Sequence, residues 1–271
     1  MEELSTEMRG MTMYVAADGG PVRFPITGRK NHTTHLHPSP KGGYLMLPSE
    51  SYSEYRAMSV LDVSHSVVEY MAQPHRIETA DWSYTPDVGA IVTHSLIREL
   101  RKGTPFVLAC LKLPPDRSLD EPYEKLVLEI KRDLDREKKE YAAKLREAGA
   151  LYAVNGYHFH RVEENPGLNA CDISIFPAIL MDFSANVPER AVFAAWHHLM
   201  GRNGVSTYDA MVDALGGGPH GIEAAHCLHG RGLIWIDLTK NPLSDPQRTR
   251  VAMPPLRGKN RALAKQLFRE G

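Results

Sequence analysis

Apolar positions recur along this chain at two spacings, and each spacing predicts an element. Between Ser51 and Leu61, residues Tyr52, Tyr55, Met58 and Ser59 fall at helical intervals with Glu54 on the same turn, so a helix is expected there. Val67 to Ile77 reads as a strand broken by Pro74, and Trp82 to Val92 as a second strand with Asp87 near its middle. After a turn at Gly103, the continuous apolar run from Phe106 predicts a buried central strand with Lys112 at its end and Pro114-Pro115 as its stop. A long helix is expected from Asp120 to about Ala148, with Pro122 in its first turn and Gly149 ending it. Leu126, Ile130, Leu134, Tyr141 and Leu145 would form its apolar face, and the run Lys131 to Lys139 would lie mostly on its wet face. Tyr157 to Val162 alternates as a further strand. Strands, a crossover helix and another strand predict an α/β sandwich.

The pattern changes near Asn186. Pro188 starts a helix carrying Val192, Phe193, Trp196 and Leu199, and Ser206 or Thr207 caps a second, Tyr208 to Leu215, which stops at Gly216-Gly-Gly218. Pro219 begins a third helix, to about His229, followed by strands at Leu233–Leu238 and Thr249–Met253. Three short helices and a hairpin describe a winged helix. Residues 1 to about 20 carry little pattern and read as a loose arm. The expected organisation is therefore an N-terminal arm over 1–21, an α/β domain over 22–185, a small winged-helix domain over 186–255 and a basic tail over 256–271. There is no internal repeat.

The 271 residues, 42% apolar and 24% charged, can bury a proper core. No apolar run approaches the roughly 20 residues that cross a bilayer, and the acidic start lacks a secretory pattern, so a cytoplasmic protein with no membrane partner is expected. Three cysteines, Cys110, Cys171 and Cys227, are too scattered for a zinc ribbon or a disulfide framework. The formal net charge is −1, but seven basic residues against Glu270 alone fill Gln247 to Gly271. Such a tail suits nucleic acid or an acidic partner, and equally a solvated, partly disordered end.

Candidate chemistry lies between Glu50 and Lys112. Tyr84-Thr-Pro-Asp87 sets an aspartate at the mouth of one predicted strand, and Lys112 ends the next. Metal-dependent nucleases pair these groups, the aspartate holding Mg²⁺ and the lysine stabilising charge or positioning water. Such sites carry a further acidic or amide ligand two residues before the lysine, and that position here is Cys110, a soft thiol poorly matched to Mg²⁺. Glu54, Asp87, the Leu111 carbonyl and Cys110 are the candidate metal ligands on this reading, with Glu78, Glu121 and Glu124 as acids able to replace the thiol. His32, His35 and His37 have no acidic or thiol partner nearby, and a polar loop is the simpler reading. Arg29, Lys30, Arg101, Lys102, Arg248 and Arg250 are the candidate nucleic-acid contacts.

Ser51-x-x-Glu54, Gln73-Pro74, Tyr84-Thr-Pro-Asp87 and the Lys112 strand, followed by a winged-helix-like segment, resemble the TnsA-like endonuclease subunits of heteromeric transposases over roughly residues 22 to 255. The resemblance implies a restriction-endonuclease-like fold that cleaves the 5′ strand at transposon ends with Mg²⁺ or Mn²⁺. It also implies a DDE-type transposase subunit as partner, and an AAA+ regulator that contacts the C-terminal domain. Glu54 would match the helix acid, Asp87 the metal aspartate and Lys112 the catalytic lysine, while Cys110 departs from the family's glutamine or glutamate. A degraded, non-catalytic assembly subunit is the alternative that Cys110 raises. A winged-helix transcriptional regulator is a third reading. The segment Pro219 to His229 counts against it, because it holds no Arg or Lys to grip phosphates and guanine edges.

Overall fold

The structure, a computed structural model, describes residues 2–24, 34–114, 122–131 and 139–255. Arg29, Lys30, His32, Glu121, most of the Lys131–Lys139 run and the basic tail beyond 255 lie outside the described residues. The chain is a mixed α/β protein with several sheets, and it divides into two compact units. The first draws on Met1–Leu61, Val67–Ala109 and Pro122–Ala170, and the second on Asp62–Ser66, Cys110–Glu121 and Cys171–Gly271. The expected split near residue 186 thus moves to Ala170/Cys171, and two short internal segments join the second unit.

Along the first unit run β1 (Glu3–Met8), β2 (Met11–Ala16), β3 (His35–Ser39), β4 (Leu45–Ser49), α1 (Tyr52–Val63), β5 (Val67–Ala72), β6 (Arg76–Glu78), β7 (Ser83–Tyr84), β8 (Val88–Thr93), α2 (His94–Arg101), α3 (Phe106–Leu111), β9 (Tyr123–Lys131), α4 (Lys139–Val154) and β10 (Tyr157–Glu163). The last turns of α1 and α3 carry the chain into the second unit. One sheet has the order β1-β2-β6-β7 and another β10-β9-β8-β5, while β3 and β4 form a separate hairpin. In the second sheet β10 runs parallel to β9, and α4 supplies the crossover between them. The pairs β8–β9 and β5–β8 are antiparallel. Met11, Met13, Ile77, Tyr84, Val127, Leu145, Ala148 and Tyr152 form one core, to which both sheets and α4 contribute.

Three expectations are corrected here. The N-terminal arm is instead the β1–β2 hairpin, turned at Gly10 (φ +74°), with Met11 and Met13 buried. Phe106–Leu111 is a helix and not a central strand: the Ala109 amide bonds the Pro105 carbonyl at 2.9 Å, and Thr104-Pro105 is a helix-opening pair. The long helix expected from Asp120 is instead strand β9 through Lys131 and helix α4 from Lys139. Leu126 and Ile130 are four residues apart, which satisfies a helical face and, equally, one face of a strand. Pairing decides between them, since Ala90 faces Leu126 and Val88 faces Leu128 across the ladder.

The second unit runs α5 (Phe176–Asp182), α6 (Glu189–Met200), β11 (Val205–Thr207), α7 (Tyr208–Ala214), α8 (Gly218–Gly230), β12 (Trp235–Ile236) and β13 (Arg250–Ala252); α5 and β11 add to the three helices and two strands expected from Pro188 onward. The three strands form a sheet ordered β11-β13-β12, both pairs antiparallel. Gly216, Gly217 and Gly218 all take positive φ, a conformation that side chains resist, and so turn α7 sharply into α8. Trp196, Leu199, Tyr208, Leu228, Ile234 and Ile236 are buried. His226 links three helices, with Nδ1 2.6 Å from Asp182 Oδ2 on α5 and Nε2 2.8 Å from the Tyr208 hydroxyl on α7.

Candidate active site

A cavity of about 550 Å³ in the first unit gathers Glu50, Ser51, Glu54, Asp87, Glu129, Lys131 and Lys144 among its lining residues. Local rules place each acid. Ser51-x-x-Glu54 is a capping box at the start of α1. The Glu54 amide donates to Ser51 Oγ at 3.2 Å. In return the Glu54 carboxylate accepts from Ser51 Oγ at 2.9 Å and from the Glu50 amide at 2.8 Å. Burial pushes the Glu54 carboxyl above its ordinary range, and the charges of Glu50 and Glu129 add to the push.

Gln73-Pro74 aligns the segment that carries Asp87. Gln73 adopts a left-handed backbone (φ +46°) at the end of β5, which turns its amide onto the Asp87 carbonyl at 2.8 Å. The Pro74 ring packs over Gly89 of β8, where an added Cβ would stand 2.7 Å from Pro74 Cγ. A glycine on β8 is therefore what lets the Gln-Pro turn fold against the strand. The Asp87 side chain continues the ladder beyond the end of β8, its Oδ2 accepting from the Ile130 amide at 2.7 Å. Its carboxyl is held well above the usual carboxylate range, first by burial and then by the charges of Glu129 and Glu54.

Glu129 and Lys131 share one face of β9, two residues apart. Glu129 is 2% exposed and accepts from three donors: the Tyr84 hydroxyl at 2.5 Å, the Tyr141 hydroxyl at 2.8 Å and Lys131 Nζ at 2.6 Å. Lys131 Nζ also lies 4.5 Å from the centre of the Tyr141 ring. Across the site, Arg23 pairs with Glu50 at 2.9 Å and reaches Gln73 Oε1 at 3.4 Å.

The structure thus brings Glu54 and Asp87 together and separates them from the other candidates. Lys112, Leu111 and Cys110 do not line this cavity; they belong to the second unit, because Phe106–Leu111 is helical. Cys110 is fully buried and its carbonyl accepts from Ser64 Oγ at 2.6 Å, while the Leu111 carbonyl accepts from Trp235 Nε1 at 3.2 Å. In place of the expected Lys112 and Cys110, the cavity holds Lys131 and, two residues before it, Glu129. The sequence signal was present: Leu126-Val-Leu-Glu-Ile-Lys131 is an apolar strand carrying Glu-x-Lys at its end. Glu78, paired with Arg76 at 2.8 Å, and Glu124, paired with His94 at 2.6 Å, do not line this cavity. Arg101, Lys102, Arg248 and Arg250 are exposed, and Lys102 pairs with Glu99 at 2.8 Å. His35 and His37 lie on β3 with their rings against Tyr55.

Among the described residues, no three His, Cys, Asp or Glu groups already stand at the spacing of a closed metal centre. The three carboxylates are each anchored by protein donors instead. The donor set nevertheless suits a hard divalent cation, since Glu54, Asp87 and Glu129 offer only oxygens. Burial raises the carboxyl groups of Glu54 and Asp87 and the charge of Glu129 adds to both, a cost that such a cation would relieve. Among the described residues no helix is long and apolar enough to cross a membrane. No family model matches the chain, and no curated protein matches it.

Proposed function

We propose that this chain is a metal-dependent DNA endonuclease, the 5′-strand-cleaving subunit of a heteromeric transposase of the TnsA-like kind. One observation carries the reading. Pro86-Asp87 at the start of β8 and Glu129-Ile130-Lys131 at the end of β9 meet in one cavity with Glu54 of α1. That is the residue set a restriction-endonuclease-like domain needs, and it restores an acid two residues before the lysine. From α6 onward the order helix, strand, helix, helix, strand, strand is in keeping with a winged helix. Its α8 has Glu223 and buried His226 and His229 but no Arg or Lys, which favours a protein partner over direct base reading. The partners proposed for it are the DDE-type transposase and an AAA+ regulator.

Glu54, Asp87 and Glu129 are the residues to hold Mg²⁺ or Mn²⁺ through their oxygens, and such an ion supplies an activated water and a counter-charge for phosphate. Lys131 brings its ammonium group beside Glu129, where it stabilises the negative charge that builds on a phosphate under attack. Tyr84 and Tyr141 fix the Glu129 carboxylate so that its direction is set before substrate arrives. The non-catalytic alternative rested on Cys110, which is not part of the site.

The test is a nicking assay on transposon-end duplex with Mg²⁺ or Mn²⁺, run with the partner transposase. Wild type should cut the 5′ strand, and Asp87→Asn, Glu129→Gln and Lys131→Ala should each lose cutting by at least about a hundredfold. Equal cutting by wild type and Asp87→Asn would sink the reading.

A further inference from the structure

One cation of the cavity has no part in the chemistry above. Lys144 stands on α4, and its Nζ lies 5.8 Å from the Tyr141 ring centre, 5.9 Å from that of Trp82 and 6.0 Å from that of Tyr84. Three rings at nearly equal distance confine the ammonium group, while leaving its three N–H donors available to an anion. Among the described residues no carboxylate pairs with it, although Glu140 and Glu147 share its helix. Glu147 is instead held by Trp82 Nε1 at 2.9 Å. The cage is itself anchored, because Tyr84 and Tyr141 both donate to Glu129.

The placement relative to Lys131 carries the argument. Both ammonium groups stand on the Tyr141 ring, at 4.5 and 5.8 Å from its centre, so their separation cannot exceed the sum of those distances. That bound keeps both ammonium groups within reach of one strand, whose charges recur at about 3.4 Å of axial rise. Two cations so placed can meet two phosphates of the same strand, one at Lys131 and its neighbour at Lys144. A phosphomonoester or a single nucleotide offers only one.

We infer that Lys144 binds the phosphate next to the one attacked, a positioning contact on the polynucleotide strand with charge on both sides of the cut. The inference rests on the nuclease reading and adds a positioning contact to that same site. Lys144 acts by positioning the strand, and it takes no proton and forms no bond.

The test compares the full-length wild type with Lys144→Met, which keeps the apolar stem against the rings and removes the charge, and with Lys144→Arg. Binding of fluorescent duplex is followed by anisotropy as salt is raised, and cutting is measured with the partner transposase present. Removing one phosphate contact should reduce the slope of log affinity against log salt by about 0.9 in Lys144→Met. KM should rise several-fold with kcat near wild type, and Lys144→Arg should restore both. A methylphosphonate at the neighbouring linkage should abolish the difference between wild type and Lys144→Met, which a merely structural lysine would not produce. An unchanged salt slope and KM in Lys144→Met, with Asp87→Asn still inactive, overturns this inference alone. Failure of wild type to bind or cut DNA overturns it together with the nuclease reading.

Discussion

Asp87→Asn should make the cation-free protein more stable while abolishing cutting. The substitution keeps an oxygen able to accept from the Ile130 amide, now 2.7 Å from Oδ2, so the ladder contact survives as a neutral bond. A hydrogen bond to a charged group contributes about 1.5–3 kcal/mol and a neutral one about 0.5–1.5, so roughly 1 kcal/mol is lost there. Against that stands the removal of a buried negative charge facing Glu129 and Glu54, a burden of several kcal/mol in an unpaired setting. The net expectation is a gain of about 1–3 kcal/mol. The sign with pH follows from the direction of the shift. Asp87 is raised in the folded state, so near pH 4 its carboxyl is neutral folded and only about half ionised unfolded, and the charge costs little. Stability is lost as pH climbs toward and through the raised folded value, so the advantage of Asn should be small at pH 4 and larger at pH 8. Urea unfolding in chelator at both values measures it. Adding Mg²⁺ at pH 8 should then raise the wild-type midpoint and leave Asp87→Asn unmoved. An Asn variant less stable than wild type at pH 8, or offset equally at both pH values, would refute the reasoning.

Other outcomes follow from the same geometry. Tyr84→Phe removes a 2.5 Å bond to Glu129, with an expected stability loss of about 1.5–3 kcal/mol and a fall in kcat that exceeds any rise in KM; steady-state cutting and urea melts check it. Cys110→Gln forces an amide into a fully buried helix position and should cost about 2–4 kcal/mol with no gain in cutting or Mg²⁺ affinity, a gain being the outcome that revives the strand reading of that segment. His75 is pushed down to about 4 by burial and bonds the Tyr152 hydroxyl at 2.7 Å, so its contribution is intact above pH 6.5 and is lost as pH falls toward 4, by about 3 kcal/mol. Urea midpoints of His75→Gln over that range should fall less steeply than those of wild type, and parallel profiles would show that another group sets the acid lability.

Much of the site was legible in local chemistry. Ser51-x-x-Glu54 announces a helix start, and Tyr84-Thr-Pro-Asp87 announces a strand entered through a rigid turn; both stand where expected because a capping box and an X-Pro step need only near neighbours. The three helices α6, α7 and α8 of the second unit stand where expected, since Pro188, Thr207, the Gly216–Gly218 turn and Pro219 punctuate them, whereas α5 and β11 carried no such mark. The lysine was misplaced for a definite reason. Two apolar runs, one from Phe106 and one from Leu126, are each short and continuous, and such runs carry no period to tell strand from helix. The Thr104-Pro105 pair before the first, and the Glu-x-Lys ending the second, were the marks that distinguished them.

The sequence by itself determined where turns and caps fall, which residue types are available for chemistry, and the order of the three helices after residue 186. All of these depend on interactions within a few residues. Only the tertiary structure decided that Lys131, and not Lys112, joins Glu54 and Asp87. Strand β9 gains its identity from a partner some forty residues away, Val88 opposite Leu128 and Ala90 opposite Leu126, and that pairing alone sets Glu129 beneath Tyr84 and Tyr141. The N-terminal hairpin was hidden for the same reason, since β2 is held by β6 across sixty residues of chain. Pairing at such separation is a balance of loop entropy against burial over the whole unit, which no local window contains.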